Sequence, residues 1–296
     1  MTLNVCLRAA GVCAAAAAAL LLTSNPAGAQ PGGSGSRKGQ GPHVRVELIA
    51  DRVTPGPGMR LGLKFDLDPE WHIYWQNPGD SGGPPQAAWT FPPGMMAAGI
   101  EWPAPERIDI GGLVNYGYHD TVVLPVAVAL AAGARIPQEF TIGASVRWMA
   151  CASLCVPGKA DLALTFPLNA AERGQVDGWK AAVDAARSQV PKPAPASWKA
   201  SAASAGDTFV VDVVTGSREA QAVFFPLELS QVNDSAAQSV SPLSDGVRLA
   251  LSKSSQLTKD PEVLRGVLSL SGGRAFVVEA RVRQSRRQKT IHRSPS

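Results

Sequence analysis

Cysteine and histidine are scarce in this sequence, which has four of each in 296 residues. Cys6 and Cys13 lie near the N-terminus, so only Cys151 and Cys155 are available for chemistry in the body of the chain. No glycine-rich loop opens a helix as a nucleotide site requires, and neither a serine-hydrolase elbow nor a catalytic carboxylate pair is recognisable. These absences argue against nucleotide-dependent and hydrolytic enzymes.

A hydrophobic run long enough to cross a membrane is also missing. Residues 9–22 are apolar but too short for a comfortable span, and they follow Arg8 and precede a small-x-small site at residues 27–29. The pattern predicts a cleaved secretory signal peptide over residues 1–29, a periplasmic location and no membrane span in the mature chain. Export to an oxidising compartment favours a disulfide between the two remaining cysteines.

The excess of positive charge is confined to the end of the chain. The sequence has 28 Lys and Arg against 24 Asp and Glu, but residues 281–296 carry six of the basic residues and no acid. Without that segment the body is slightly acidic. We therefore predict a basic disordered tail over residues 284–296 and no nucleic-acid partner.

Hydrophobic residues alternate with polar ones over residues 44–48 and 61–67, a period typical of half-buried antiparallel strands. Further short segments of this kind are separated by Pro- and Gly-rich turns, without the rhythm of alternating strands and helices. The pattern predicts an all-β protein built on a β-sandwich. The predicted divisions are a flexible linker at 30–42, a first β domain at 43–170, a helix and Pro-rich hinge at 171–195, and a second, smaller β domain at 196–283.

One helix is predicted between the two β domains. Apolar residues fall on helical spacing at Val176, Trp179, Val183, Ala186 and Val190. The Pro-rich stretch 191–195 ends this helix and is expected to act as a hinge. The second β domain lacks cysteine, so we expect it to be a spacer or a docking module.

Cys151 and Cys155 are separated by three residues and are followed by Val156-Pro157-Gly158. Because the residue before a proline favours an extended conformation, we expect a tight loop between a strand ending near Trp148 and one starting near Ala160. A disulfide closing so small a ring removes little chain entropy, which mildly favours a redox role over a structural one. Nearby Arg147 and Lys159 are expected to favour thiolate.

The residues alone leave two alternatives to redox exchange open. One is a non-catalytic binding protein that has a structural disulfide. The other is a copper or zinc site that joins the two thiols to His43, His72, His119 or Met149.

Three separated motifs carry a family resemblance. Residues 71–82 (WHIYWQNPGDSG), residues 115–118 (NYGY) followed by Leu124-Pro125-Val126, and Cys151-x3-Cys155-Val-Pro-Gly occur in this order. Together they resemble the periplasmic N-terminal domain of DsbD-type thiol:disulfide interchange proteins, and most closely the ScsB-like branch, over residues 43–168. A weaker resemblance continues through the second β segment.

The resemblance implies an immunoglobulin-like sandwich in which Cys151 and Cys155 form the redox pair. It also implies a loop whose aromatic residues cap the cysteines. The matching segment is 111–118, so Tyr116 is the first candidate for the cap, expected to be exposed, and Tyr118 is the second. The aromatic strand at 71–75 is expected to line the same site through Trp71, His72 and Tyr74, although core packing is an equally good interpretation of Trp71 and Trp75.

The resemblance further implies the partners. A membrane-embedded thiol reductase would donate electrons, and periplasmic thioredoxin-like oxidoreductases would accept them. The membrane and thioredoxin-like domains of DsbD-type proteins are not in this sequence, so a free-standing carrier and a truncated relative both remain open. We expect no bound cofactor and no metal, and a thiol–disulfide oxidoreductase if the pair is redox-active.

Overall fold

The computed structural model describes residues 36–284. The predicted signal peptide, residues 30–35 of the predicted linker and nearly all of the basic tail lie outside these residues. Most of the regular structure in the described part of the chain is β-strand, as the alternation predicts. None of its helices has the length and hydropathy that a membrane crossing requires.

Eleven strands come first along the chain. They are β1 (Lys38–Gly41), β2 (Val44–Ala50), β3 (Arg60–Leu67), β4 (His72–Gly79), β5 (Gln86–Thr90), β6 (Met95–Ile100), β7 (Glu106–Ile110), β8 (Leu113–His119), β9 (Thr121–Leu130), β10 (Phe140–Cys151) and β11 (Cys155–Phe166). Two helices follow, α1 (Ala170–Arg173) and α2 (Val176–Ser188).

These strands form two antiparallel sheets, which we call the sandwich. One sheet has the order β1-β2-β3-β9-β6, and the other has the order β11-β10-β4-β8-β7, with β5 also paired to β10. Large apolar side chains from both sheets, among them Phe65, Trp75 and Trp148, share one buried core. The immunoglobulin-like, all-β prediction is therefore confirmed.

The linker expected at residues 30–42 is wrong over its last part, because Lys38–Gly41 forms β1 and pairs with β2. Its glycines serve close packing. A Cβ at Gly41 would lie 2.7 Å from the Trp148 ring, and one at Gly39 would lie 2.4 Å from the Ala160 Cβ. A composition typical of flexible linkers here allows a strand to lie directly on its neighbours.

The helix α2 buries Val176, Trp179, Val183 and Ala186, as their spacing predicts, and it contacts strands β2, β3 and β9. Val190 lies beyond the end of α2. Because of its contacts with β2, β3 and β9, the helix α2 covers part of the outer face of the first sheet.

Eight strands follow the helices, with a short 3-10 turn at Ser271–Gly273. They are β12 (Lys192–Pro193), β13 (Lys199–Ala205), β14 (Thr208–Val214), β15 (Ala222–Pro226), β16 (Ser239–Pro242), β17 (Gly246–Ser252), β18 (Val263–Leu270) and β19 (Arg274–Gln284). They form a third sheet of order β15-β18-β19-β13-β14-β17-β16, with β12 added beside β19.

This C-terminal sheet has its own core, which includes Phe209, Phe224 and Leu249. Its edge strand β15 contacts β17 near the opposite edge, so the sheet curls around that core. The segment expected to be a hinge is tied to this sheet, because β12 pairs with β19. Phe225 and Val267 of the C-terminal sheet are buried in the core of the sandwich instead.

Candidate functional site

The two cysteines close the β10–β11 hairpin. Cys151 ends β10, Cys155 begins β11, and the two face each other as the last pair of the ladder, with Cα atoms 4.1 Å apart and a disulfide between their Sγ atoms. The expected loop from Trp148 to Ala160 is wrong in length, because only residues 152–154 separate the strands. Pro157 is tolerated within β11 because this strand lies at the edge of its sheet.

The two ends of the disulfide differ in access. Cys151 is buried, with 1% of its surface exposed, whereas Cys155 is exposed to solvent. The neighbouring Leu154, at the tip of the hairpin, is 57% exposed. An incoming thiolate therefore meets Cys155 first.

A buried phenol contacts the disulfide from inside the protein. The hydroxyl of Tyr74 donates to Cys151 Sγ at 2.7 Å and lies 3.7 Å from Cys155 Sγ. Burial raises the pKa of Tyr74 above its ordinary value, against a smaller opposing effect of the nearby Ser81 hydroxyl. Tyr74 consequently stays protonated at neutral pH and remains a donor to sulfur.

Polar groups beside Tyr74 form a chain within the second sheet of the sandwich. Ser81, whose hydroxyl is near that of Tyr74, donates to Asn115 Oδ1 at 2.9 Å. Since Oδ1 of Asn115 accepts that bond, its Nδ2 faces His72 Nε2, at 3.2 Å. Both Asn115 and His72 are buried. The disulfide thus has a polar, ordered inner side instead of the apolar surroundings of an ordinary core bridge.

His72 is uncharged in this arrangement. Burial, followed by repulsion from His119, lowers the pKa of His72 to about 4. Because Nε2 accepts from Asn115, the ring proton lies on Nδ1, which is buried and has no hydrogen-bond partner among residues 36–284. His72 is also the cross-strand neighbour of Cys151, so it places a neutral imidazole on the face that holds the disulfide.

The segment after β4 lies against the ring of Tyr74. A Cβ at Gly82, which has φ of +80°, would lie 2.0 Å from Cζ of Tyr74, the carbon that bears the hydroxyl. Only glycine allows this approach and this backbone conformation without strain. Gly82 therefore packs directly on the phenol that contacts the cysteines.

The expected exposure of Tyr116 is wrong. Tyr116 is fully buried, its hydroxyl donates to Asp234 Oδ1 at 2.8 Å, and its ring packs on Phe225. Tyr118 is also buried and donates to the Pro103 carbonyl at 2.8 Å.

Strand geometry explains why these two tyrosines do not meet the cysteines. Gly117 is the cross-strand partner of Tyr74 and shares its face of the sheet. Since successive side chains of a strand point to opposite faces, Tyr116 and Tyr118 face away from the side that carries Tyr74 and the disulfide. The sequence motif placed Tyr116 and Tyr118 in β8, which lies beside β4, but it did not indicate which face of the sheet their side chains occupy.

Trp71 and the two flanking cations do not form part of the arrangement around the disulfide. Trp71 is half-buried and stacks on His43, with ring centroids 3.8 Å apart. Arg147 and Lys159 are a cross-strand pair four residues below the cysteines, a distance of about 13 Å along the strands. That distance exceeds the Debye length of about 8 Å at physiological salt, so their effect on a thiolate is strongly screened.

Three residues of the site were not singled out from the sequence: Ser81, Gly82 and Asn115. All of them lie within the motifs that carry the family resemblance, where aromatic side chains are the more prominent feature. Their contacts with Tyr74 and His72 depend on how β4 and β8 pair, and no local pattern shows that pairing.

Residues 36–284 contain no cluster of side chains suited to binding a metal ion. No group of three or more His, Cys, Asp or Glu side chains in this part of the chain is arranged to hold an ion. The pairing of His72 with Cys151 and with His119 places these residues on one face, and the thiol ligands are joined to each other in the disulfide.

Comparison with known proteins identifies the sandwich. The family model described as "Thiol:disulfide interchange protein DsbD, N-terminal" matches residues 46–167. The crystal structure of the N-terminal periplasmic domain of ScsB from Proteus mirabilis superposes with a TM-score of 0.64 at 18% identity, covering 84% of this chain and 98% of that one. The YadV chaperone is similar only at a TM-score of 0.21 and 9% identity, covering 75% of this chain and 91% of its own.

No curated protein matches the sequence. The family match covers both cysteines and every strand from which the site is built, and the ScsB domain shares the fold. Residues 46–167 are therefore a DsbD-type N-terminal domain, a thiol:disulfide interchange module that carries the Cys151–Cys155 pair.

Proposed function

We propose that this protein is a periplasmic electron carrier that exchanges its Cys151–Cys155 disulfide with partner proteins, with Cys155 as the attacking and Cys151 as the resolving residue. The observation that carries the proposal is the contrast between the exposed Cys155 and the buried Cys151 hydrogen-bonded to Tyr74. The family match over residues 46–167 supports the reaction class.

The reductive half of the cycle starts from the dithiol form. The Cys155 thiolate attacks one sulfur of a partner disulfide, and the other partner sulfur leaves as a thiolate that takes up a proton. Cys151 then loses its proton and attacks Cys155 Sγ, which releases the second partner sulfur. The partner leaves as a dithiol, two electrons have been transferred, and the Cys151–Cys155 bond has formed.

Tyr74 acts on the resolving cysteine in this scheme. Its hydroxyl donates to Cys151 Sγ at 2.7 Å, and a hydrogen bond to a thiolate lowers the pKa of that thiol. When an electron donor attacks Cys155, Cys151 is the leaving group, and a leaving thiol of lower pKa departs faster. Tyr74 is therefore placed to speed the reloading of the carrier.

The family resemblance suggests the donor and the acceptors. We propose a membrane-embedded thiol reductase as donor and periplasmic thioredoxin-like proteins as acceptors. The reaction requires no bound cofactor because the electrons are stored in the sulfur–sulfur bond. We also propose that the chain is divided into a redox domain at 43–170 and a second β domain at 196–283. Residues 1–29 are removed on export in the same proposal.

The deciding experiment is the reduction potential of the Cys151–Cys155 pair, measured by equilibration in glutathione and dithiothreitol buffers. Exchange proteins have potentials of about −120 to −270 mV, whereas structural disulfides lie below about −300 mV. A value in the first range supports the carrier. A pair that stays oxidised throughout identifies a structural bridge and removes the proposed function.

A further inference from the structure

The C-terminal sheet contacts the sandwich at the strands that build the redox site. Asn77 Nδ2, after the aromatic part of β4, donates to the Pro226 carbonyl at 2.8 Å. Elsewhere, Tyr116 donates to Asp234, and Arg107 donates to the Ser235 and Ala236 carbonyls at 3.3 and 3.2 Å. The third sheet is therefore more than a distant spacer.

Asn77 differs from the other contacts because it also holds the segment that touches Tyr74. Its side chain is 1% exposed. While Nδ2 donates to Pro226, its Oδ1 accepts from the backbone N–H of Gly79 at 3.0 Å. One buried amide thus connects the C-terminal sheet to the turn that follows β4.

The turn from Gly79 to Gly82 is held tightly against the site. The ladder between β4 and β8 is irregular between Tyr74 and Gly79, so regular strand pairing does not position this stretch. Asp80 exchanges bonds with both backbone groups of Val114, at 3.0 and 2.8 Å. Ser81 donates to Asn115 Oδ1 at 2.9 Å, and Gly82 packs on the Tyr74 ring.

We propose that Asn77 is a positioning residue through which the C-terminal sheet sets the redox properties of the disulfide. The connection runs from Pro226 through Asn77 to the turn 79–82, and from this turn to Tyr74 and Cys151. This inference rests on the proposed thiol–disulfide exchange. The inference gives the C-terminal sheet a function, which is to hold the Tyr74 hydroxyl in position to donate to Cys151.

The physical basis is the geometric sensitivity of a hydrogen bond to sulfur. If the turn relaxes, Gly82 no longer packs on the phenol ring, and the bond from Tyr74 to the Cys151 thiolate weakens. The reduced form then loses stabilisation relative to the disulfide. Loss of Asn77 therefore acts in the same direction as loss of the Tyr74 hydroxyl, and only through it.

The test uses the full chain and measures the equilibrium constant for reduction in glutathione buffers. We expect Asn77→Ala to lower this constant about fivefold or more, the factor that one net hydrogen bond produces. Arg107→Ala is the matched control, since it also removes a contact with the C-terminal sheet but does not touch the turn. We expect it to stay within about twofold of the wild type.

Two further variants keep the outcome decisive. Asn77→Asp retains the acceptor for Gly79 and loses the donor to Pro226, so it decides the matter if Asn77→Ala does not fold. In a Tyr74→Phe background, Asn77→Ala is expected to add nothing, because coupled residues are not additive.

Three results overturn the inference: unchanged redox behaviour of both Asn77 variants, an equal shift in Arg107→Ala, or additive effects in the double variant. A wild-type pair that cannot be reduced removes the proposed function as well. A wild type that exchanges normally beside silent Asn77 variants removes only the positioning role.

Discussion

The hydroxyl of Tyr74 lies 2.7 Å from Sγ of Cys151, although 76 residues stand between them in the chain. This contact joins a buried strand to the end of an exposed hairpin. It gives one sulfur of the disulfide a hydrogen-bond donor and leaves the other open to solvent, so the two cysteines are chemically inequivalent before any partner arrives.

The first prediction concerns this inequivalence. Cys151→Ser leaves the exposed Cys155 thiol, which we expect to form a stable mixed disulfide with a thioredoxin-like partner because nothing remains to resolve it. Cys155→Ser leaves the buried Cys151 thiol, which should react at least about tenfold more slowly with iodoacetamide. Mass spectrometry and alkylation rates measure both effects. Equal reactivity of the two single-cysteine variants would contradict the assignment.

The second prediction concerns Tyr74. A hydrogen bond to a charged group contributes about 1.5–3 kcal/mol, so Tyr74→Phe should raise the pKa of the Cys151 thiol by roughly one to two units. The pH dependence of alkylation in a Cys155→Ser background measures this pKa.

Tyr116→Phe is the matched control for Tyr74→Phe, since it also removes one buried hydroxyl but from the opposite face of the sheet. We expect it to leave the Cys151 pKa and the rate of reduction by small thiols unchanged. If Tyr116→Phe speeds reduction while Tyr74→Phe does not, the cap expected from the family resemblance is restored and the role of Tyr74 is lost.

The third prediction concerns the approach of Gly82 to the phenol. Gly82→Ala places a methyl group where Cζ of Tyr74 now lies 2.0 Å away, at a φ of +80°. The ring or the turn must move, so reduction by dithiothreitol should become slower. Gly83→Ala is the control, because a Cβ there meets nothing within 4 Å. The same rate in both variants would show that the turn does not affect the disulfide.

The fourth prediction concerns the tip of the hairpin. Leu154 is 57% exposed beside the reactive Cys155, and we expect it to contact partner proteins. Leu154→Ser should slow exchange with a thioredoxin-like protein about fivefold or more while leaving reduction by dithiothreitol unchanged. Leu229→Ser, at a residue 60% exposed in the C-terminal sheet region, is the control. Equal slowing with both reagents would indicate a distorted disulfide.

The fifth prediction concerns the pH dependence of stability. Burial raises the pKa of Asp234 to about 6, above its ordinary value of 3.8. The folded state therefore binds this proton more tightly, and the resulting stability is complete below about pH 4 and is lost as the pH rises through 6. The contribution is at most roughly 3 kcal/mol. Asp234→Asn keeps an acceptor for Tyr116, so it should be more stable than the wild type at pH 8.

His72 acts in the opposite sense over the same range. Its pKa falls from 6.5 to about 4 in the folded state, so its contribution is present above pH 6.5 and lost as the pH falls towards 4. The two effects offset each other in the wild type. Asp234→Asn should therefore reveal a stability that rises with pH between about 4 and 6.5, measured by urea unfolding. If the stability of Asp234→Asn depends on pH in the same way as that of the wild type, buried Asp234 does not contribute to the pH dependence of stability.

Much of the fold could be predicted from local patterns. The alternation at residues 44–48 and 61–67 indicated strands β2 and β3, and the spacing of Val176, Trp179 and Val183 indicated α2. The strand at residues 38–41 was missed because its composition is typical of linkers, and only its packing on Trp148 and Ala160 explains the glycines.

The site was predictable in its members but not in their arrangement. Cys151, Cys155, Tyr74 and His72 were expected together and lie on one face of the second sheet of the sandwich. Tyr116 was expected among them and lies on the other face. A shift of a single residue in strand pairing reverses which side chains face the site, and the irregular pairing of β4 with β8 is not visible in the sequence.

The sequence by itself determined that this protein is built of short strands and carries one closely spaced cysteine pair, because alternation and spacing are properties of neighbouring residues. The tertiary structure alone decided which cysteine is buried, which tyrosine reaches it and how Asn77 contacts Pro226, 149 residues away. These relationships arise from the register of strands and the packing of distant segments, where a displacement of one residue changes every contact.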